Sequence, residues 1–246
     1  MWSIIKLAQG CLLSPKLFFR YSQAMLPVLA VLFIILLSYG LIAGLILAPA
    51  DYIQGDAFRI IYVHAPCAFL SLFIYAVMAA AAICALVFNL TLAHLVIRHS
   101  ASLGAGFTLL ALITGSIWGK PMWGTWWIWD ARLTSELILL FLYTGIILCQ
   151  SALAQKMRGE RAVAILVLIG FIDIPIIHYS VYWWNTLHQG ATLKLFAPSS
   201  IDSSMIYPLL AMIAAFLLYY AMVLFLRMGH ELTAIKANHH WLEKMP

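Results

Sequence analysis

Charge is scarce in this sequence. Only 9% of the 246 residues are charged, while 65% are apolar, and an average soluble domain is about one quarter charged. So few polar residues do not cover the surface of a water-soluble globule, which excludes that class of protein. The composition therefore predicts a chain that folds in a lipid bilayer.

Paired cysteines and clustered basic residues are also lacking. The four cysteines form no Cys-x-x-Cys pair, so neither a disulfide framework nor a zinc site is predicted. The net charge is +5, but the lysines and arginines are scattered along the chain. Nucleic-acid binding is therefore not expected.

Six apolar runs approach or exceed the roughly 20 residues that a helix needs to cross a bilayer. They cover residues 26–47, 65–88, 101–118, 137–153, 162–181 and 205–226. We therefore predict an all-α integral membrane protein, with a single six-helix membrane domain over residues 1–246. Because the number of spans is even, both termini are predicted to lie on the same side.

The basic residues indicate which side that is. Ten of the 14 lysines and arginines fall in the termini and in the second and fourth loops. Basic loops stay in the cytoplasm, so both termini are predicted to be cytoplasmic. The exported loops then cover residues 48–64, 119–136 and 182–204, and the middle one is rich in tryptophan.

Five of the nine tryptophans lie within twelve residues: Trp118, Trp123, Trp126, Trp127 and Trp129. One interpretation is an aromatic belt at the lipid headgroups, and the other is a stacking surface for a large, flat ligand. A belt needs only one or two indoles at each helix end, so this cluster favours the ligand surface. The neighbouring Asp130 and Arg132 are expected to hold that surface in place by charge-assisted hydrogen bonds.

Two of the eight histidines lie on exported segments, on either side of the tryptophan loop in the sequence. His64 is at the start of the second apolar run, and His188 follows the fifth. Neutral imidazole is a strong ligand for haem iron, and two imidazoles can occupy both axial positions of one macrocycle. The pattern therefore predicts that His64 and His188 bind one haem iron.

The basic residues outside the predicted cytoplasmic segments are few, and all lie on the exported loops: Arg59, Lys120, Arg132 and Lys194. Haem carries two propionates, which need cations near the membrane surface. These side chains are candidates to bind the propionates, although a routine scatter of interfacial charges would look similar.

The stretch from residue 123 to 136 reads Trp-Gly-Thr-Trp-Trp-Ile-Trp-Asp-Ala-Arg-Leu-Thr-Ser-Glu. It resembles the tryptophan-rich WWD loop of the haem-handling membrane proteins of cytochrome c maturation. The flanking Arg-Ile-Ile-Tyr-Val-His, which ends at His64, and Trp-Trp-Asn-Thr-Leu-His-Gln-Gly, which contains His188, resemble the CcmC family in particular. The resemblance covers roughly residues 48 to 195 and implies that these two histidines are the axial ligands.

The same resemblance implies a function and partners. Haem b would be held outside the membrane core, on the periplasmic side of a bacterial inner membrane, and passed to the periplasmic haem chaperone CcmE. A histidine of CcmE becomes covalently attached to a haem vinyl group, so no residue of this chain needs to act as a nucleophile. Further implied partners are the ABC transporter made of CcmA and CcmB, the small membrane protein CcmD and membrane lipid.

Two other functions remain alternatives. A membrane cytochrome b that carries electrons would need histidines deep inside helices, and only His178 lies in such a position. A solute transporter subunit would have charged or broken helices near the middle of the membrane, for which Asp173, Pro175 and His178 offer one weak indication.

Overall fold

The computed structural model describes residues 14–153, 157–188 and 202–238. Within these ranges, six helical spans are long and apolar enough to cross a membrane, which confirms the predicted all-α membrane fold. Lys194 and most of the third exported loop lie outside the described residues, as do both ends of the chain.

Seven α-helices build the six spans. They are α1 (Pro15–Leu41), α2 (Ile61–Phe88), α3 (Thr91–Trp123), α4 (Ala131–Leu153), α5 (Met157–Gly170), α6 (Asp173–Trp183) and α7 (Ser203–Asn238). Helix α1 continues as a π-helical segment, Ile42–Leu47, and a 3-10 helix, Asp56–Ile60, leads into α2.

Helix α3 is longer than its apolar run, and residues 119–123 of the predicted tryptophan loop form its last turns. It ends at Gly124, which has a left-handed backbone (φ +75°) and donates its N–H to the Lys120 carbonyl. Glycine adopts this conformation without steric cost. Since α4 begins at Ala131, the segment between the two helices is only seven residues long, 124–130.

The fifth span is broken, whereas the sequence predicted one continuous helix over residues 162–181. Helix α5 ends at Gly170 and α6 begins at Asp173. Proline has no N–H and its ring clashes with the carbonyl four residues earlier. Pro175 therefore prevents a regular helix at Phe171, which is where the break occurs.

The helices form a packed bundle that is open at one end. Helix α2 packs along α3 and also contacts α5 and α7. Helix α4 packs against α3, α5 and α6, whereas α1 packs mainly against α7. At one end Arg98 of α3 forms ion pairs with Glu160 of α5, at 3.0 Å, and with Glu231 of α7. The other end of α2, α3 and α4 surrounds a cavity.

Close packing in the bundle depends on Gly104. A Cβ atom at this position would overlap the ring of Tyr143, which is fully buried and is held by a 2.7 Å hydrogen bond from its hydroxyl to the Ser71 carbonyl. We expect Gly104→Ala to lower the free energy of unfolding by about 1–3 kcal/mol, as overpacking usually does. Thermal unfolding in detergent, followed by circular dichroism, measures this loss.

Gly106 provides the matched control on the same helix. It is exposed, and a Cβ atom there would meet no atom within 4 Å. Gly106→Ala should therefore leave stability unchanged or raise it by up to about 1 kcal/mol, because alanine favours a helix. Equal unfolding temperatures for the two variants would contradict the packing argument.

Candidate functional site

The cavity lies among the first turns of α2, the last turns of α3 and the first turns of α4, and its volume is about 240 Å³. Its walls are mostly apolar, and polar groups enter at a few positions: Gln54, His64, Ser116, Arg132, Glu136 and His188.

His64 lies in the first turn of α2, with its Nδ1 atom 3.1 Å from the Ala111 carbonyl and 3.1 Å from the Thr114 hydroxyl. A carbonyl only accepts hydrogen bonds, so Nδ1 carries the proton and Nε2 carries the lone pair. Hydrogen bonding of one ring nitrogen to a carbonyl is typical of histidines that bind a metal through the other nitrogen. The structure thus holds His64 in the tautomer suited to iron.

Gly115 makes room for the His64 ring. A Cβ atom at this position would lie 3.0 Å from Cε1 of the imidazole, closer than ordinary van der Waals contact. A larger residue in this turn of α3 would push the ring away from the Ala111 carbonyl.

His188 faces His64 across the cavity, and the centroids of the two rings are 6.3 Å apart. A metal–imidazole bond is about 2 Å long, and each nitrogen lies about 1 Å from its ring centre, so two imidazoles on one metal have centroids roughly 6 Å apart. The separation therefore fits a shared metal ion. The structure brings the two predicted ligands together, although 123 positions separate them in the chain.

Asp130 connects the segment after α3 to the segment that carries His188. One carboxylate oxygen accepts the N–H of Leu133 at 2.8 Å and caps the start of α4. The other accepts a hydrogen bond from the Thr186 hydroxyl, and the same hydroxyl accepts the N–H of His188 at 3.1 Å. Asp130 is thus placed to hold the His188 backbone rather than to contact a ligand.

The five clustered tryptophans do not form one surface. Trp118 and Trp123 lie on α3 and line the cavity. Trp118 packs edge-on against His64, with ring centroids 5.6 Å apart, and Trp123 lies 6.4 Å from the ring of His188. Each predicted iron ligand therefore has an indole beside it.

The other three tryptophans lie outside the cavity lining. Trp126 and Trp129 are 55% and 75% exposed, and Trp127 packs edge-on against Trp129. The Trp127 Nε1 atom is buried and has no hydrogen-bond partner among the described residues. Trp126 and Trp129 therefore face outward, whereas Trp127 is partly buried.

Of the predicted cations, Arg132 lines the cavity, and its guanidinium donates to the Ile177 carbonyl at 2.6 Å. Arg59 instead donates to the carbonyls of Gly44 and Leu45, in the π-helical segment after α1. It also pairs with Asp56 at 3.0 Å. The structure therefore separates Arg59 from the cavity.

Lys120 also points away from the cavity lining. Its ammonium group donates to the Gly124 carbonyl at 3.1 Å and lies 5.9 Å from the centroid of the Trp126 ring. Lys120 thus stabilises the turn that ends α3.

Sequence reasoning missed two groups at this site. Glu136, 7% exposed, lines the cavity and accepts a 2.7 Å hydrogen bond from the Ser71 hydroxyl. Gln54 accepts a 2.9 Å hydrogen bond from the Trp118 indole. The signal for Glu136 was its position one helical turn after Arg132, which places both side chains on one face of α4.

His178 lies away from the cavity lining and packs against the ring of Tyr179, with centroids 4.8 Å apart. It therefore offers no pairing of buried imidazoles of the kind that a cytochrome b needs.

Comparison with known proteins agrees with the motifs. The sequence profile of the family described as CcmC, heme exporter protein C, matches residues 9–243. The heme exporter protein C of Haemophilus influenzae is 47% identical over 231 residues, which are 94% of each chain. That of Escherichia coli is 49% identical over 220 residues, 89% of each chain. A putative cytochrome c biosynthesis ccmC-like mitochondrial protein of Marchantia polymorpha is 43% identical over 198 residues, 80% of this chain and 82% of that one.

Proposed function

The chain belongs to the heme exporter protein C family, and from this premise we propose that it binds haem b and presents it for covalent attachment to the chaperone CcmE. Family membership supports the coarser role, that of a multi-pass membrane protein that handles haem in cytochrome c maturation. The observation that carries the finer proposal is the pair of imidazoles 6.3 Å apart across a cavity. His64 and His188 are the proposed axial ligands of the iron.

The remaining cavity residues have complementary roles in this proposal. Trp118 and Trp123 pack beside the two imidazoles and cover the porphyrin, while Arg132 is the cation available to a propionate. Trp126, Trp127 and Trp129 provide the apolar surface that the chaperone contacts when it reaches the haem edge. Lys120 and Asp130 support this surface from behind, through the turn at Gly124 and the start of α4.

The chemistry that this proposal requires of the chain is positioning. The histidine that attacks the vinyl group belongs to CcmE, so the chain contributes by holding haem in one orientation with an edge accessible. Proximity and orientation of this kind lower a barrier by up to ~7–11 kcal/mol in well-aligned cases. Release requires both iron–imidazole bonds to break, which gives a reason for coupling to the ATPase pair CcmA and CcmB, with CcmD in the same complex.

We also propose that the cavity opens to the periplasm. The ion pairs of Arg98 with Glu160 and Glu231 lie at the opposite end of α3 from the cavity. Arg98 and Arg227, which donates to the Ser102 hydroxyl, lie at this opposite end, as does Arg161 next to Glu160, and basic segments stay in the cytoplasm. In a bacterial inner membrane, the cavity would then face the compartment in which CcmE works.

The proposal is tested with purified protein and CcmE in detergent. Added haem should give the absorption spectrum of a low-spin, bis-histidine haem, and mixing with CcmE should transfer it to a covalent adduct that survives denaturing electrophoresis. A high-spin spectrum in the wild type, or a bound haem that CcmE never acquires, would contradict the proposed role.

A further inference from the structure

Glu136 places a carboxyl group in the wall of the cavity, inside the apolar part of the bundle. It is 7% exposed, and the hydrogen bond to one of its oxygens comes from the neutral Ser71 hydroxyl. A buried carboxylate is costly unless a cation or several hydrogen bonds compensate its charge. The groups around the cavity must therefore compensate the charge of the Glu136 carboxylate.

In the empty cavity, one described side chain supplies the positive charge that compensates Glu136. Among the described lining residues, Arg132 is the one lysine or arginine, and it lies one helical turn before Glu136. Its guanidinium also donates to the Ile177 carbonyl, which fixes it near the wall. Arg132 is therefore the one lysine or arginine of the described lining, and it acts on Glu136, and also on Asp130, through space and not through a direct ion pair.

The groups that face Glu136 from the packed elements add no further positive charge. Arg132 and Tyr143 on α4 and Asp173 on α6 interact with Glu136, and His64 on α2 and His188 on the segment after α6 line the same cavity. The two imidazoles are neutral when they bind iron. Arg132 thus stays the one cation among these groups.

Asp173 makes the interior behind Glu136 more negative still. It is 8% exposed, and its Oδ2 atom has no hydrogen-bond partner among the described residues. The buried Tyr75 hydroxyl also has no hydrogen-bond partner among the described residues. Two carboxyl groups therefore share this apolar region with a single guanidinium.

Haem brings two carboxylates of its own. Charges interact far more strongly in a medium of low dielectric than in water, so a propionate that engages Arg132 leaves Glu136 without its counter-charge. Buried acids in this position neutralise themselves by binding a proton. We propose, on the basis of the function proposed above, that haem loading is coupled to uptake of one proton by Glu136.

The proton balance of this step is simple. On loading, a proton passes from water at the cavity opening to the Glu136 carboxylate, which becomes a carboxylic acid. On handover of haem, the carboxylate forms again beside Arg132 and the proton returns to solvent. Above the ordinary histidine pKa of about 6.5, where the two imidazoles are neutral, a rise in pH therefore favours release of haem.

Proton uptake can be measured directly. Haem is added to the detergent-purified protein in weakly buffered solution with a pH indicator, at about pH 7.5, above the ordinary pKa of about 6.5 for histidine. The Soret band reports haem binding in the same sample. The wild type should take up about one proton more per bound haem than Glu136→Gln, because an amide binds no proton in this range.

Glu160→Gln is the matched control, since it removes a carboxylate at the other end of the bundle; its proton uptake should equal that of the wild type. Glu136→Asp keeps a carboxyl group and should keep the uptake. Ser71→Ala removes a hydrogen bond that favours the carboxylate, so a larger fraction of Glu136 is protonated before haem binds and the uptake should fall. The last variant tests the proposal even where Glu136→Gln does not fold.

The outcomes separate this inference from the proposed function. Bound haem with equal proton uptake in the wild type and Glu136→Gln would overturn the inference and leave the haem site intact. Unchanged uptake in Ser71→Ala would overturn it as well. Failure of the wild type to bind haem would instead refute the proposed function.

Discussion

Replacing His64 by alanine is expected to lower haem affinity at least about 100-fold and to convert the remaining haem to a high-spin form. Changes in residues that merely support a metal ligand already cost about 10- to 100-fold, and loss of the ligand itself should cost no less. The measurement is a titration of the Soret band in detergent. We expect the same result for His188→Ala, because the two rings face each other across the cavity.

Exogenous imidazole provides a sharp test of the reason for this loss. If the cavity of the His64→Ala variant is intact, free imidazole should fill the vacated space and restore the low-spin band. His178→Ala is the control, because His178 lies outside the cavity lining, and its spectrum should match that of the wild type. An unchanged low-spin spectrum in His64→Ala would mean that another residue binds the iron.

Thr186→Ala is expected to weaken haem binding by about 10- to 100-fold although Thr186 is not among the cavity-lining residues. The Thr186 hydroxyl joins the Asp130 carboxylate to the His188 N–H. Without it, the His188 backbone loses its hydrogen bond to the start of α4, and the imidazole no longer stays opposite His64. Haem affinity should fall while the unfolding temperature of the empty protein changes little.

Asp130→Ala should lower both haem affinity and stability. It removes the same connection and also the cap of α4 at the Leu133 N–H, a loss that typically costs about 1 kcal/mol. Thr125→Ala is the matched control, since the Thr125 hydroxyl donates to the Trp127 carbonyl within the same loop and is not joined to His188. Equal haem affinity for the Thr186 and Thr125 variants would show that the His188 segment needs no anchor.

The sequence predicted the six spans correctly because they depend on local features, whereas the role of His64 and His188 as iron ligands stays a prediction. Apolar length reveals a membrane helix without knowledge of its neighbours. His64 and His188 were recognisable from the motifs around them. The sequence did not predict that the centroids of the two rings lie 6.3 Å apart, because this distance depends on how α2 and the segment after α6 pack against α3.

Individual side-chain roles could not be predicted where the partner is a backbone group. Arg59 looked like a candidate for a haem propionate because it is a cation on an exported loop. Its partners are the Gly44 and Leu45 carbonyls, which have no partner within the helix because they lie in its last turn, and no hydropathy pattern signals such a contact. Whether Trp126, Trp127 and Trp129 contact the chaperone stays a prediction.

For Glu136, the surrounding motif predicted the wrong environment. Its place in the tryptophan motif suggested a loop residue, but α4 begins at Ala131 and carries Glu136 into the bundle. Burial of a carboxyl group depends on the helices that surround it, and α2 supplies the covering Ser71 side chain. An acid four residues after an arginine, at the start of an apolar run, was the available signal.

The packing of α1 has a consequence for biosynthesis. This helix contacts mainly α7, and at Gly40 the two approach so closely that a Cβ atom would lie 2.6 Å from the Met212 side chain. Because α7 follows the other described helices in the sequence, α1 gains its main partner only after those helices have been inserted. Until then lipid is the main neighbour of α1, and the pairing of α1 with α7 is a late step in assembly of the bundle.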